Sequence, residues 1–112
     1  MVGLGVCRYH LPMMFPLESV DHDTFFPLIG ETFAIRAGDG RLELRLDAVR
    51  KLGHRREGAP RDPFSLIFTG RQGLRVPQGT YLFECEALGE IGIFITQVAD
   101  VAGGSEFEAI FT

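Results

Sequence analysis

The chain has 112 residues, 46% of them apolar and 23% charged. That is long enough for one domain with its own core and too apolar for intrinsic disorder. A net charge of −4 argues against nucleic acid as a partner, and no apolar run reaches the ~18 residues of a membrane-spanning helix.

Residues 1–16 have no clean periodicity and carry Pro12 and Pro16. They read as an irregular lead-in, separate from a single domain over 17–112. Met13 and Met14 offer alternative starts, so the lead-in is expected to be dispensable for folding. Met1–Val6 is apolar but lacks the basic start and long apolar stretch of a signal peptide. Residues 21–29 begin with capping residues and stop before Gly30, which predicts a short helix. Pro27 limits it to a turn or two, and Phe25, Leu28 and Ile29 share one face. In 31–37 Phe33 and Ile35 alternate with polar and small residues, the mark of a half-buried strand. Gly38, Asp39 and Gly40 predict a hairpin turn. The return strand over 41–52 places Leu42, Leu44 and Leu46 inward, after which Val49 and Leu52 fall out of phase. A β-bulge near 47–49 accounts for the slip.

A loop over 53–62 leads to a third strand, with Phe64, Leu66 and Phe68 on one face and Ser65, Ile67 and Thr69 on the other. A second loop, 70–79, precedes a fourth, where Tyr81, Phe83 and Cys85 oppose Leu82, Glu84 and Glu86. A turn at 87–89 introduces a fifth strand, with Ile91, Ile93 and Ile95 alternating with Gly92, Phe94 and Thr96. A turn at 100–104 introduces a sixth, with Phe107, Ala109 and Phe111 inward and Glu106, Glu108 and Ile110 outward. Short connections between six such strands predict an all-β fold: a six-stranded antiparallel meander, curled into a small barrel, closed or open, rather than a two-layer sandwich. The short N-terminal helix would cap one end. Ten Phe and no Trp predict a core packed from phenylalanine.

No catalytic constellation emerges. His10, His22 and His54 have no neighbour at metal-ligand spacing, so no metal site is expected. Asp21-His22-Asp23 reads as helix capping, because successive helical side chains point different ways. No serine sits in a nucleophile elbow. Cys7 and Cys85 are not expected to pair. Cys85 reads as a buried thiol whose pKa is raised by Glu84 and Glu86, and unpaired cysteines fit a reducing, cytoplasmic location. Glu84, Glu86, Glu106 and Glu108 alternate outward and read as solubilising charges. Arg50, Lys51, Arg55 and Arg56, with His54 and Arg61, form a local basic patch without stacking aromatics. It reads as a solvated loop, the alternative being contact with an anion or an acidic protein. Strict alternation leaves Ile67, Leu82, Phe94 and Ile110 on the outward face, a candidate apolar interaction surface for a second copy or for the helix.

The runs F-F-P-L-I-G-E-T-F at 25–33, P-F-S-L-I-F-T-G at 63–70, P-Q-G-T-Y at 77–81, A-L-G-E at 87–90 and F-E-A-I-F at 107–111 resemble a bacterial domain-of-unknown-function family over residues 17–112. Members carry similar F-x-P-L-x-G-E-T-F, F-S-L-x-F-x-G and P-Q-G-T-Y motifs. The resemblance implies no activity. It implies an association with proteins similar to phage-tail collar or fibre components, hence an assembly role. These shared residues are turn glycines and core aromatics, which mark a fold more than a site. The chain is therefore expected to be a non-catalytic interaction or assembly module that self-associates and needs no cofactor. The alternative is a small barrel carrier of an apolar ligand.

Overall fold

The computed structural model describes residues 20–37, 40–101 and 104–112. The lead-in and the tip of the first hairpin therefore lie outside the described residues, as does that of the last. Helix α1 (His22–Phe25) runs into a single 3-10 turn (Phe26–Leu28). Of the two capping residues the sequence offers, Asp21 and Asp23, it is Asp21 that caps α1. Its carboxylate accepts from the Thr24 N–H and its own N–H donates to Thr24 Oγ1, so two otherwise orphaned donors are satisfied reciprocally. Pro27 sits at the start of the 3-10 turn, and Gly30 follows at φ +97°. Six strands come next: β1 (Thr32–Ala37), β2 (Gly40–Lys51), β3 (Phe64–Gly70), β4 (Gly79–Cys85), β5 (Gly89–Val101) and β6 (Gly104–Phe111).

The strands close into an antiparallel barrel in the order β1-β2-β3-β6-β5-β4. The all-β barrel with a short helix is as expected, but the connectivity differs from one continuous meander. There are two three-stranded meanders, and β3 and β4 stand on opposite sides of the ring. The β3–β4 connection must therefore cross a barrel end, and it buries Leu74 and Val76 in the core on the way. Gln97, on β5, fastens this crossing. Its Nε2 donates to the Leu74 carbonyl at 2.8 Å, its Oε1 accepts from the Val76 N–H at 3.1 Å, and Ser105 Oγ donates to the same carbonyl.

The predicted bulge is present. The β2–β3 register shifts between Leu46 and Ala48, which returns Val49 to the inward face. Asp47, the extra residue, accepts from Arg45 Nε at 2.6 Å and from the Thr69 hydroxyl, and these donors hold its carboxyl below its ordinary pKa. A second shift, between Gln97 and Ala99 in β5, is not foreshadowed by the alternation of 91–96.

The interior is phenylalanine-rich. Phe33, Phe68 and Phe83 meet at centroid distances of 5.0–6.2 Å in the middle of the barrel. Phe25 of α1 descends onto the mouth, 6.0 Å from Phe64 and 5.7 Å from Phe111, which themselves stack at 4.7 Å. The helix thus plugs one end of the barrel and does not lie over the outward apolar face, because its buried residue belongs to the core cluster.

Candidate interaction surface

The outward residues Ile67, Leu82, Phe94 and Ile110 fall on four successive strands of the ring, β3, β4, β5 and β6, in the spatial order 67, 110, 94, 82. A continuous meander would also set these four strands side by side; the observed order instead brings Ile67 beside Ile110 and moves Leu82 to the far side of the ring from Ile67. The pairs Thr80–Phe94 and Leu82–Gly92 place Leu82 diagonally from Phe94 across β4–β5. The pairs Ser65–Ile110 and Ile67–Glu108 place Ile67 diagonally from Ile110 across β3–β6. The β5–β6 ladder begins at Thr96–Glu108, and Phe94 and Ile110 continue its outward phase two residues further on.

Exposure divides the four. Phe94 and Ile110 are 53% and 59% exposed, and Leu82 is half-buried. Ile67 is only 7% exposed, so it offers a partner little surface. Val98, at the second bulge, is 47% exposed and extends the apolar set along β5. It continues the outward phase of Phe94 and Thr96, two residues beyond the alternation read over 91–96.

The basic residues divide as well. Arg50 lies on the outward phase of β2, opposite Ser65, and Arg56 is exposed in the turn that ends at Ala59. Lys51 and Arg55 instead line a cleft of about 320 Å³ beside α1, together with Arg61. Asp21, His22 and Asp23 line it too, so these three do share one space; Asp21 is the cap and has extended backbone, not a helical direction. Asp21 is committed to capping, and Asp23 Oδ1 lies 3.0 Å from His22 Nδ1. His54 is exposed in the loop.

The carboxylates read from the sequence are spread out. Glu84 bonds Arg36 at 3.0 Å and stands 3.6 Å from Arg41, and it faces Glu90 across β4–β5. Partial burial and the neighbouring Glu84 push the Glu90 carboxyl above its usual range. Glu106 and Glu108 stand on β6, on the other side of β5. Among the described residues no three of His, Cys, Asp and Glu converge as metal ligands, and no helix is long and apolar enough to cross a membrane.

Cys85 is half-buried, and burial is the main cause that raises its thiol pKa, with the charge of Glu31 adding to it. The flanking Glu84 and Glu86 are not the cause, since adjacent strand residues point to the opposite face. A folded pKa above the unfolded one means that the thiol form contributes stability below the unfolded value. That contribution is lost as pH rises through the folded one. Native Cys85 should therefore label with a thiol-directed alkylating reagent much more slowly than denatured chain, and its labelling should turn on at higher pH. Equal rates in the two states would refute the buried-thiol assignment.

No curated protein and no solved structure matches the chain. A family model described as Domain of unknown function (DUF6916) matches residues 20–111.

Proposed function

The chain belongs to the DUF6916 family, whose description names no activity, and we propose that it acts as a non-catalytic interaction and assembly module. Its partner in this reading is a second copy of itself, docked through the outward face of β5 and β6. The observation that carries this is the pair of exposed large apolar side chains, Phe94 and Ile110, with Leu82 diagonal to Phe94 and Val98 further along β5 beyond Thr96. Scattered apolar residues are ordinary on a surface, whereas a contiguous set favours a partner.

The magnitude favours a weak contact. A two-fold interface buries each residue twice. Phe94, Val98 and Ile110, each about half exposed, would then contribute roughly 5–9 kcal/mol. Association costs about 4–15 kcal/mol, so the expected complex is a reversible one and not an obligate dimer. Assembly with components of the phage-tail collar or fibre type is the further step that the motif resemblance implies.

The carrier reading gains little from the interior. Phe33, Phe68, Phe83, Ile91 and Ile93 point inward and are at most 1% exposed, so the barrel is filled by its own side chains.

Sedimentation velocity tests the proposal. Wild-type chain should shift to a faster species between low and high micromolar concentration. Phe94→Glu should stay monomeric across that range with an unchanged circular dichroism spectrum. A wild-type chain that remains monomeric at high micromolar concentration overturns the self-association.

A further inference from the structure

The cleft beside α1 is built from two sources. The stretch Val20–Asp23 contributes Asp21, His22 and Asp23, and the end of β2 with the following loop contributes Lys51, Arg55, Pro60, Arg61, Asp62 and Pro63. Its volume, about 320 Å³, lies at the small end of the range for ligand sites.

The loop is folded, not merely solvated. The Leu52 N–H donates to the Pro63 carbonyl at 2.9 Å and closes its ends. Inside it, the Arg55 N–H donates to Asp62 Oδ1 at 2.7 Å and the Ala59 N–H to the Arg56 carbonyl at 2.9 Å. The cations it carries are thereby positioned before any ligand arrives, which lowers the entropic cost of binding.

The acids and bases of the cleft are satisfied unequally. Each carboxylate has a short contact: Asp21 with the Thr24 N–H at 3.0 Å, Asp23 with His22 at 3.0 Å, and Asp62 with the Arg55 N–H. Two of the cations are served less well. The Arg55 guanidinium reaches only the Ala59 carbonyl, at 3.4 Å, and Lys51 has no ion pair among the described residues. Arg61 contacts the Thr112 backbone oxygen at 3.4 Å and lies 5.9 Å over the Phe111 ring. Lys51 falls on the inward phase of β2 at the barrel mouth, opposite Phe64, so the residue stands where the core ends and the cleft begins.

We propose that this cleft is a carboxylate-binding site in which Lys51 and Arg55 receive the ligand's charge. The guanidinium fork of Arg55 suits either a carboxylate or a phosphate. Asp21, Asp23 and Asp62 decide between them. Three lysine and arginine charges against three aspartates leave the lining formally neutral, so it offers a dianion no net attraction, whereas one negative charge can be met by Lys51 and Arg55 locally. The carboxylate could belong to a small organic acid or to an acidic side chain of a partner protein. The chemistry of recognition is the same in both.

The test is a titration of the full chain, followed through backbone amide resonances at constant ionic strength. The probes are N-acetylglycine, which carries a terminal carboxylate, and glutamic acid blocked at its amino and α-carboxyl groups, which carries only a side-chain carboxylate. Saturable shifts at residues lining the cleft are expected in the millimolar range. The tighter of the two probes identifies the source. In the Lys51→Ala/Arg55→Ala double variant the affinity should fall roughly tenfold or more, the loss expected for removing a charge-assisted contact. If that variant loses its dispersed spectrum, Arg55→Gln serves instead, since its side chain gives up only the long contact to Ala59. Linear, non-saturating shifts with both probes overturn the proposal, and so does tighter binding of inorganic phosphate or wild-type affinity in the variants.

Discussion

Phe68→Ala should lower the unfolding free energy by about 3–5 kcal/mol and the melting temperature by roughly 10–20 °C. Phe68 has no exposed surface. Its ring is the hub of the central aromatic trio, 5.4 Å from Phe33 in an edge-on arrangement and 5.0 Å from Phe83. Its backbone pairs with Leu46 on one side and Phe107 on the other, so the site is walled by hydrogen-bonded strands. A closed ring of six strands cannot collapse into the space left behind, which places the cost toward the upper part of the range for large-to-small substitutions. Glu43→Ala, on the exposed face of β2, is the control and should change stability by less than about 0.5 kcal/mol. Denaturant titration of both variants decides it, and a loss below about 1 kcal/mol at Phe68 would show that the central trio is not the core.

Gly104→Ala should cost about 3 kcal/mol or more. Gly104 starts β6 at φ +152°, a conformation L side chains rarely adopt. A Cβ there would also run into the Gly70 carbonyl oxygen and come within 3.1 Å of Thr69 Cγ2. The obstacle at Gly70 is backbone at the end of the β3–β6 ladder, where Gly70 pairs with Ser105, so it cannot turn aside. Gly70→Ala meets only the tips of Leu44 and Leu74, at 2.6 and 2.9 Å, and should be the milder of the two. Gly58→Ala separates strain from collision. Gly58 also has positive φ, +86°, with nothing within 4 Å of the added methyl, so its cost should stay near 1 kcal/mol. Equal losses at Gly104 and Gly58 would mean that close approach of β6 to β3 is not what requires a glycine.

The interaction surface was legible in its residues and not in its assembly. Period-two alternation alone placed Phe94 and Ile110 outward, and both are exposed. It could not see that Ile67 is covered, because burial depends on neighbours that alternation does not name. The cleft was legible only as a run of cations. Two of its three aspartates come from Val20–Asp23, about thirty residues before Lys51 in the chain, and only the docking of α1 on the barrel mouth unites them with the loop.

What the sequence determined by itself is local. Asp21, Thr24, Pro27 and Gly30 specify a capped helix of one turn and its stop. Alternation specifies the inward face of each strand, though not that β3 is buried on its other face too, and the phase slip after Leu46 specifies the first bulge. These follow from dihedral preference and side-chain period, which act within a few residues. The tertiary structure alone decided that β3 pairs with β6 and β1 with β4, that Gln97 fastens the crossing at Leu74 and Val76, and that Gly104 abuts Gly70. The physical reason is that a buried face tells a strand which side to present and not which neighbour to take. Neighbours are chosen when the ring closes, and the order adopted pairs every strand on both sides while burying Phe25, Phe33, Phe64, Phe68, Phe83, Phe107 and Phe111 with their aliphatic partners.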